Sequence, residues 1–444
     1  MKITLPSTSK MQSDQFTFGV ATASFQIEGG SDTRLPSIWD TFCDTPNAIA
    51  DKSDGKTACD HINKWQEDID LIVSLGVDAY RFSISWPRVI HQNGSLNTQG
   101  IQFYIDLLDK LEQHNIKAYV TLYHWDLPQY LEDDGGWLNR DTAYHFANYA
   151  NLVSQALGDR VHSYSTLNEP FCSAFLGYEV GIHAPGLKNK DYGKKAAHHL
   201  LLAHGLAMTI LKKNSPNSQC GIVLNFTPAY AQDNNPDNIA AAKRADDYFN
   251  QWYIKPIMDG SYPALIDELP ESQRPDIKAD DMAIISHPLD YLGVNYYTRA
   301  NYRADSTNSY GFVDVPPNNV PVTDMGWEIN PHAFTELLVS LNQTYQLPPL
   351  IITENGAAMP DTIQNGEVND IDRIEYFQQH LLAVHQAIEQ GVNIEGYFAW
   401  SLMDNFEWAE GYLKRFGIVY VDYVSQKRTI KASGYAYKDF ISQR

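Results

Sequence analysis

The sequence predicts a single (β/α)8 barrel with long loops after its strands, and three observations carry that expectation. Eight short β-type runs alternate with helical stretches along the chain. Eight units in 444 residues is about 55 residues each, more than a minimal barrel needs, so the excess falls in loops. The first run is not followed by Gly-x-Gly-x-x-Gly anywhere between Gly19 and Gly30, as a doubly wound nucleotide-binding sheet would want. No linker, low-complexity tract or charge block interrupts the chain, so residues 1–444 are expected to form one domain.

The eight runs are Phe16–Ala23, Ala79–Ser85, Lys117–Tyr123, Val161–Leu167, Gly221–Asn225, Tyr291–Tyr296, Leu350–Thr353 and Gly396–Ser401. Each is rich in β-branched, aromatic or small apolar residues and ends in polar or turn residues. Between them, Gln99–His114 places Ile101, Tyr104, Ile105, Leu108 and Leu111 on one helical face. Thr142–Leu157 and Tyr376–Gln390 read the same way.

Composition narrows the function classes. Hydrophobic residues at 43% supply a large core and exclude a disordered chain. The net charge of −21 repels phosphate backbones and anionic lipid, so neither nucleic acid nor membrane is an expected partner. Cys43, Cys59, Cys172 and Cys220 form no Cys-x-x-Cys, and His198, His199 and His204 lack a His-Glu-x-x-His pattern, so no metal site is expected and these histidines read as packing or surface residues. The polar stretch Met1–Gln15 and the absence of a long apolar run lead to the expectation of a soluble, cytoplasmic protein. The composition is compatible with a monomer or a homo-oligomer.

In a barrel of this kind the chemistry sits where the strands exit. The first exit offers Gln26, the second run carries Arg81, and the third ends in His124-Trp125-Asp126. The fourth ends in Thr166-Leu167-Asn168-Glu169-Pro170, the sixth in Asn295-Tyr296-Tyr297 and the seventh in Thr353-Glu354-Asn355-Gly356. Trp400 and Asn405-Phe406-Glu407-Trp408 follow the eighth. Amides and carboxylates grip hydroxyls, and aromatic faces cover the C–H face of a pyranose. Glu169 and Glu354 supply the acid and the ionised partner that glycoside hydrolysis requires. Singly, each has a plainer reading: Glu169 as a strand-end or capping group, Glu354 as part of an Asn-Gly turn, Arg81 as a structural ion pair, and the tryptophans as core. Their joint placement at nearly every exit favours a sugar-cleaving site.

At these residues the chain resembles glycoside hydrolase family 1. Thr-Leu-Asn-Glu-Pro (166–170) and Ile-Thr-Glu-Asn-Gly (352–356) are similar to its two signature segments. The likeness extends through Phe18–Gly29, Tyr80–Arg88, Tyr123–Pro128, His183–Gly186 and Asn405–Trp408. It implies a (β/α)8 catalytic domain acting on β-glucosides by double displacement, without metal or organic cofactor. By the same resemblance, Glu169 is the acid/base and Glu354 the nucleophile, kept ionised by Arg81 and Tyr297. Gln26, His124, Asn168, Glu407 and Trp408 hold sugar hydroxyls, and Trp400 stacks beneath the ring. Trp327 lines the leaving-group side, and Trp125 and Asn295 complete the expected substrate-binding set. Phe171 stands where the family usually has Trp. Intact Glu407 and Trp408 disfavour a 6-phospho-glycosidase, and two glutamates disfavour a non-catalytic sugar binder. A β-galactosidase or β-fucosidase leaning is the remaining alternative. Long loops after strands one, six (Arg299–Gly326) and seven (Ala357–Arg373) are expected to wall the site into a pocket.

Overall fold

All eight β-type runs form strands in the computed structural model, which describes residues 2–444. They are β1 (Thr17–Ala21), β2 (Ala79–Ser83), β3 (Lys117–Tyr123), β4 (Ser163–Asn168), β5 (Gln219–Phe226), β6 (Tyr291–Tyr296), β7 (Leu350–Asn355) and β8 (Ile394–Trp400). Each pairs in parallel with its sequence neighbours, and β8 closes on β1 from Thr17 opposite Gly396 to Ala21 opposite Trp400. The result is the closed (β/α)8 barrel the sequence predicts. The interior is filled rather than hollow. Tyr119, Tyr291, Ile351 and Phe398 pack within it, and a Cβ on Gly19 would lie 2.3 Å from the Phe398 ring.

Outer helices cover the strands with their apolar faces. The principal ones are α1 (His61–Leu75), α2 (Thr98–Gln113), α3 (Asp141–Leu157), α4 (Gly193–Asn214), α5 (Pro236–Asp246), α6 (Trp252–Asp259), α7 (Pro331–Thr344), α8 (Ile371–Glu389) and α9 (Ala432–Ile441). Asn97 caps α2 by accepting from the Gln99 and Gly100 amides, and Ile101, Tyr104, Leu107, Leu108 and Leu111 are buried. Ile105, expected on that face, is only partly buried, and Leu107 takes the inward position. The α4 histidines are structural. His198 bonds Tyr262 and Asp281, His199 the Trp137 carbonyl, and His204 the Thr166 hydroxyl behind the β4 exit. Among the described residues no helix is long and apolar enough to cross a membrane.

The long connections carry structure of their own. Within Arg299–Gly326, Ala300–Ala304 and Phe312–Val315 join Ala229–Ala231 in a three-stranded sheet, where Tyr302 packs on Phe312. Within Ala357–Arg373, a hairpin pairs Ile363–Gln364 with Glu367–Val368 across Asn365-Gly366, both at positive φ, as a tight two-residue turn requires.

A buried ion network locks the β7 and β8 exits together. Lys431, fully buried ahead of α9, donates to Asp404 at 2.7 Å and to Asp361 at 2.5 Å. Arg373 of α8 pairs with Asp361 and Asp370, and Arg415 reaches Asp404 at 2.6 Å. Removing one member strands the others as uncompensated charge. Lys431→Met should therefore cost about 3–5 kcal/mol in urea unfolding near neutral pH. It should also lower kcat/KM, because Asp404 anchors the segment that carries Glu407. A variant as stable and as active as the parent would contradict this role.

Candidate active site

The two glutamates emerge from irregular strand ends. Along β4, Ser165 pairs with Gly221 and Asn168 with Val223, so three residues of β4 span two of β5. Along β7, Ile352 pairs with Val294 but Glu354 with Asn295, again with one extra residue in β7. Such bulges bend a strand and re-aim its side chains, and barrel rims favour them. Strain continues in the backbone beyond: Glu169 has φ 46°, Trp125 φ 76° and Trp408 φ 48°. Non-glycine residues hold that region only when their surroundings over-determine it. Close packing across the rim does so here, since a Cβ on Gly356 would lie 1.7 Å from the Trp400 carbonyl oxygen.

Glu354 is 3% exposed and collects donors on both oxygens. Arg81 Nη1 donates to Oε1 at 2.6 Å and the Tyr297 hydroxyl to Oε2 at 2.6 Å. These donors fit a carboxylate, which only accepts. Arg81 Nη2 also donates to Asn168 Oδ1 at 2.7 Å, so one guanidinium ties β2 to β4 and β7. Glu169, 5% exposed, takes Asn295 Nδ2 on Oε1 at 2.6 Å and the Cys172 thiol on Oε2 at 3.1 Å. The Thr353 hydroxyl fixes Asn295 by donating to its Oδ1 at 2.6 Å, which turns the amide N–H groups toward Glu169. Burial, then the negative charge of Glu354, raise the Glu169 carboxyl to about 7. Burial followed by Glu354 and Glu169 lifts Glu407 to about 8.

Around this pair lie groups suited to hydroxyls. Asn168 Oδ1 is engaged by Arg81 and Asn295, so its amide nitrogen donates to His124 Nε2 at 3.1 Å. The His124 proton therefore sits on Nδ1, which has no protein partner. Burial, and then Arg81, hold this imidazole well below the usual histidine range, so it stays neutral. Gln26 Nε2 donates to Asn405 Oδ1, the Phe406 carbonyl and Glu407 Oε2, leaving its Oε1 as an unpaired buried acceptor. Trp125 Nε1 donates to the Asn168 carbonyl at 2.8 Å, and its ring packs 4.5 Å from Trp408. Trp408 leans on Trp39 at 4.6 Å and is stacked by Phe25.

A cavity of about 550 Å³ opens onto these groups. His124, Trp125, Glu169, Asn295, Tyr297, Trp327, Glu354, Trp400, Glu407 and Trp408 line it. Gln26, Arg81 and Asn168 stand behind the wall, where they orient the lining residues. The expected loop roles need correction. No residue of Ala357–Arg373 lines the cavity, because the Lys431–Arg373 network holds that segment away from the opening. The loop after β1 backs the wall through Phe25 and Trp39. Only Met325 of Arg299–Gly326 reaches the lining. Phe171–His183 after β4 and Ala409–Phe416 after β8 provide the walls instead. Cys172 and the β5 exit, Asn225-Phe226-Thr227, also went unassigned from sequence. Applying the strand-exit rule to the fifth run would have found the latter.

A profile of glycosyl hydrolase family 1 matches residues 8–444. A beta-glucosidase of an Agrobacterium species is 45% identical over 433 residues, covering 96% of this chain and 94% of its own. A bifunctional beta-D-glucosidase/beta-D-fucosidase of Bifidobacterium breve is 43% identical over 96% of this chain and 97% of its own. Among solved structures, virulence factor SghA of Agrobacterium tumefaciens with its substrate analog salicin superposes with a TM-score of 0.94 at 44% identity, covering 97% of this chain and 96% of that one.

The raised Glu169 carboxyl has a stability signature. The folded chain keeps this proton to about 7, whereas an exposed glutamate loses it near 4.3. Its contribution to stability is thus present at low pH and is lost as pH rises through that window. Glu169→Gln has no proton to lose. It should be more stable than the parent by roughly 3–4 kcal/mol at about pH 8, with the gap closing by about pH 4. Thermal unfolding across pH checks this, and a pH-independent gap would refute it.

Proposed function

The chain belongs to glycosyl hydrolase family 1, and from that premise we propose that it is a retaining, exo-acting β-glucosidase working through Glu354 and Glu169. Its substrates are cellobiose, short β-gluco-oligosaccharides and aryl or alkyl β-glucosides. The observation that carries the residue roles is the unequal treatment of the two carboxyls. Glu354 is gripped by Arg81 and Tyr297, while Glu169 is buried and holds its proton.

Glu354 attacks the anomeric carbon as Glu169 passes its proton to the departing oxygen. The C–O bond to the aglycone breaks and a glycosyl ester with Glu354 forms. The now ionised Glu169 then takes a proton from water, whose oxygen attacks the same carbon and releases Glu354. As the ester forms, Glu354 loses its charge, while Arg81 Nη2 keeps its hydrogen bond to Asn168 Oδ1 and the Tyr297 hydroxyl can follow the ester oxygen. His124 and Glu407 meet the sugar hydroxyls from the cavity lining, Asn168 and Gln26 complete the hydroxyl-binding set from just behind it, and Trp400 offers a flat face to the ring. The Glu407 carboxyl, held protonated to about 8, can donate to and accept from the hydroxyls of a free sugar.

The bifunctional relative favours a second activity on β-fucosides, which a panel of nitrophenyl glycosides would measure. We also propose that residues 1–444 work as one catalytic domain in the cytoplasm, in the breakdown of cellulose-derived sugars. The four cysteines, all free, support a reducing compartment.

Proton NMR of a fresh digest should show β-glucose first, with the α-anomer following only by mutarotation. An α-anomer formed first would exclude double displacement. The glutamates separate by what each step needs. Glu354→Ala should lose several orders of magnitude on every substrate, and azide should rescue it as the α-glycosyl azide. Glu169→Ala should lose about 10²–10⁴-fold where proton transfer matters, retain a burst on a dinitrophenyl glucoside, and yield the β-azide. Swapped azide anomers would reverse the roles.

A further inference from the structure

We propose that Cys172 is a positioning residue for the acid/base, its thiol being the hydrogen-bond partner that sets how readily Glu169 releases and regains its proton. The inference rests on Glu169 holding that role.

The chain geometry brings the thiol into place. From Glu169 the backbone turns through Pro170 and Phe171 so that the Cys172 amide donates to the Glu169 carbonyl at 2.9 Å. Cys172 then opens a π-helical segment, Cys172–Glu179, of the wide-turned kind that recurs at functional sites. Its side chain folds back to the carboxyl, with Sγ 3.1 Å from Oε2, and lines the cavity.

The two oxygens of Glu169 have different partners. Oε1 faces Asn295 Nδ2, and an amide N–H can only donate, so a proton on Oε1 would be opposed. The transferable proton therefore belongs on Oε2. A thiol both donates and accepts weakly, so Cys172 can follow both states of that oxygen. It donates S–H to the carboxylate and turns from donor to acceptor when Oε2 is protonated. Burial keeps the thiol itself protonated, and the charge of Glu169 adds to this. Because the donor is weak, it stabilises ionised Glu169 only a little, and the proton is retained for the first step. The other charged or titratable groups facing the carboxyl are Glu354, Glu407, Arg81 and Tyr297, and they come from other strands and loops. Changing residue 172 leaves all four in place.

The test is the pH dependence of kcat/KM on a nitrophenyl β-glucoside for the parent, Cys172→Ser and Cys172→Ala. A hydroxyl donates more strongly than a thiol, so Cys172→Ser should move the alkaline limb down by about half a pH unit or more. Cys172→Ala removes the donor and should move the same limb up by a similar amount. The acidic limb should stay in place in both. A limb that does not move, or that moves the same way in both variants, overturns the proposal and reduces Cys172 to packing. If Cys172→Ala does not fold, the serine variant decides alone, and an unmoved limb refutes. Glu169→Gln separates the two layers of argument. If it abolishes the alkaline limb while the cysteine variants leave that limb unmoved, only the thiol proposal fails. If the limb survives unshifted in Glu169→Gln, the acid/base reading itself fails, whereas a limb displaced toward the Glu407 carboxyl, at about 8, leaves that reading standing.

Discussion

Three carboxyl groups, Glu169, Glu354 and Glu407, crowd one cavity, and the guanidinium of Arg81 behind its wall pairs directly with Glu354 alone. Bringing carboxylates out of water and toward each other is unfavourable twice over, by desolvation and by repulsion. The protein resolves the conflict unequally. Glu354 receives the guanidinium and a tyrosine hydroxyl, whereas Glu169 receives an amide and a thiol. One carboxyl is thereby suited to attack and the other to carry a proton. Division of labour between chemically identical side chains follows from which donors each one meets.

That arrangement demands backbone geometry that regular strands do not supply. The extra residues in β4 and β7 lie just ahead of the glutamates, and left-handed residues at Glu169, Trp125 and Trp408 complete the turn inward. Each is unfavourable on its own and is held by a rigid barrel whose interior is filled with Tyr119, Tyr291 and Phe398. The buried network of Lys431, Arg373, Asp361 and Asp404 then fixes the segment bearing Glu407. Backbone strain at the rim and ionic anchoring beneath it belong to one arrangement. The unfavourable geometry persists because the surrounding contacts leave the chain no alternative.

The cavity wall shows how the same scaffold shapes specificity. The floor is made of amides, carboxyls and tryptophan faces, while the outer wall carries Phe171, Leu176, Ile182, Phe226 and Met325. On the proposed reading, sugar recognition and leaving-group recognition draw on different physics. Hydrogen bonds with fixed donors and acceptors discriminate hydroxyl positions on the floor. Apolar contact on the wall tolerates varied shapes.

The sequence by itself determined the eight strands, their order and the polar residues at their exits. These follow from local periodicity and from the rule that barrel chemistry gathers at strand ends, so Glu169, Glu354, His124 and Asn295 were legible before any coordinate. Only the tertiary structure decided which loops form the wall, that Gln26 and Asn168 stand behind it, and that Cys172 touches Glu169. It also revealed the bulges, because a bulge exists only relative to a partner strand. Gln26 and Glu407 meet across 381 positions of sequence, and Lys431 meets Asp361 across 70. Periodicity is a property of neighbours in the chain, whereas these contacts arise when the barrel closes and brings distant segments to one rim.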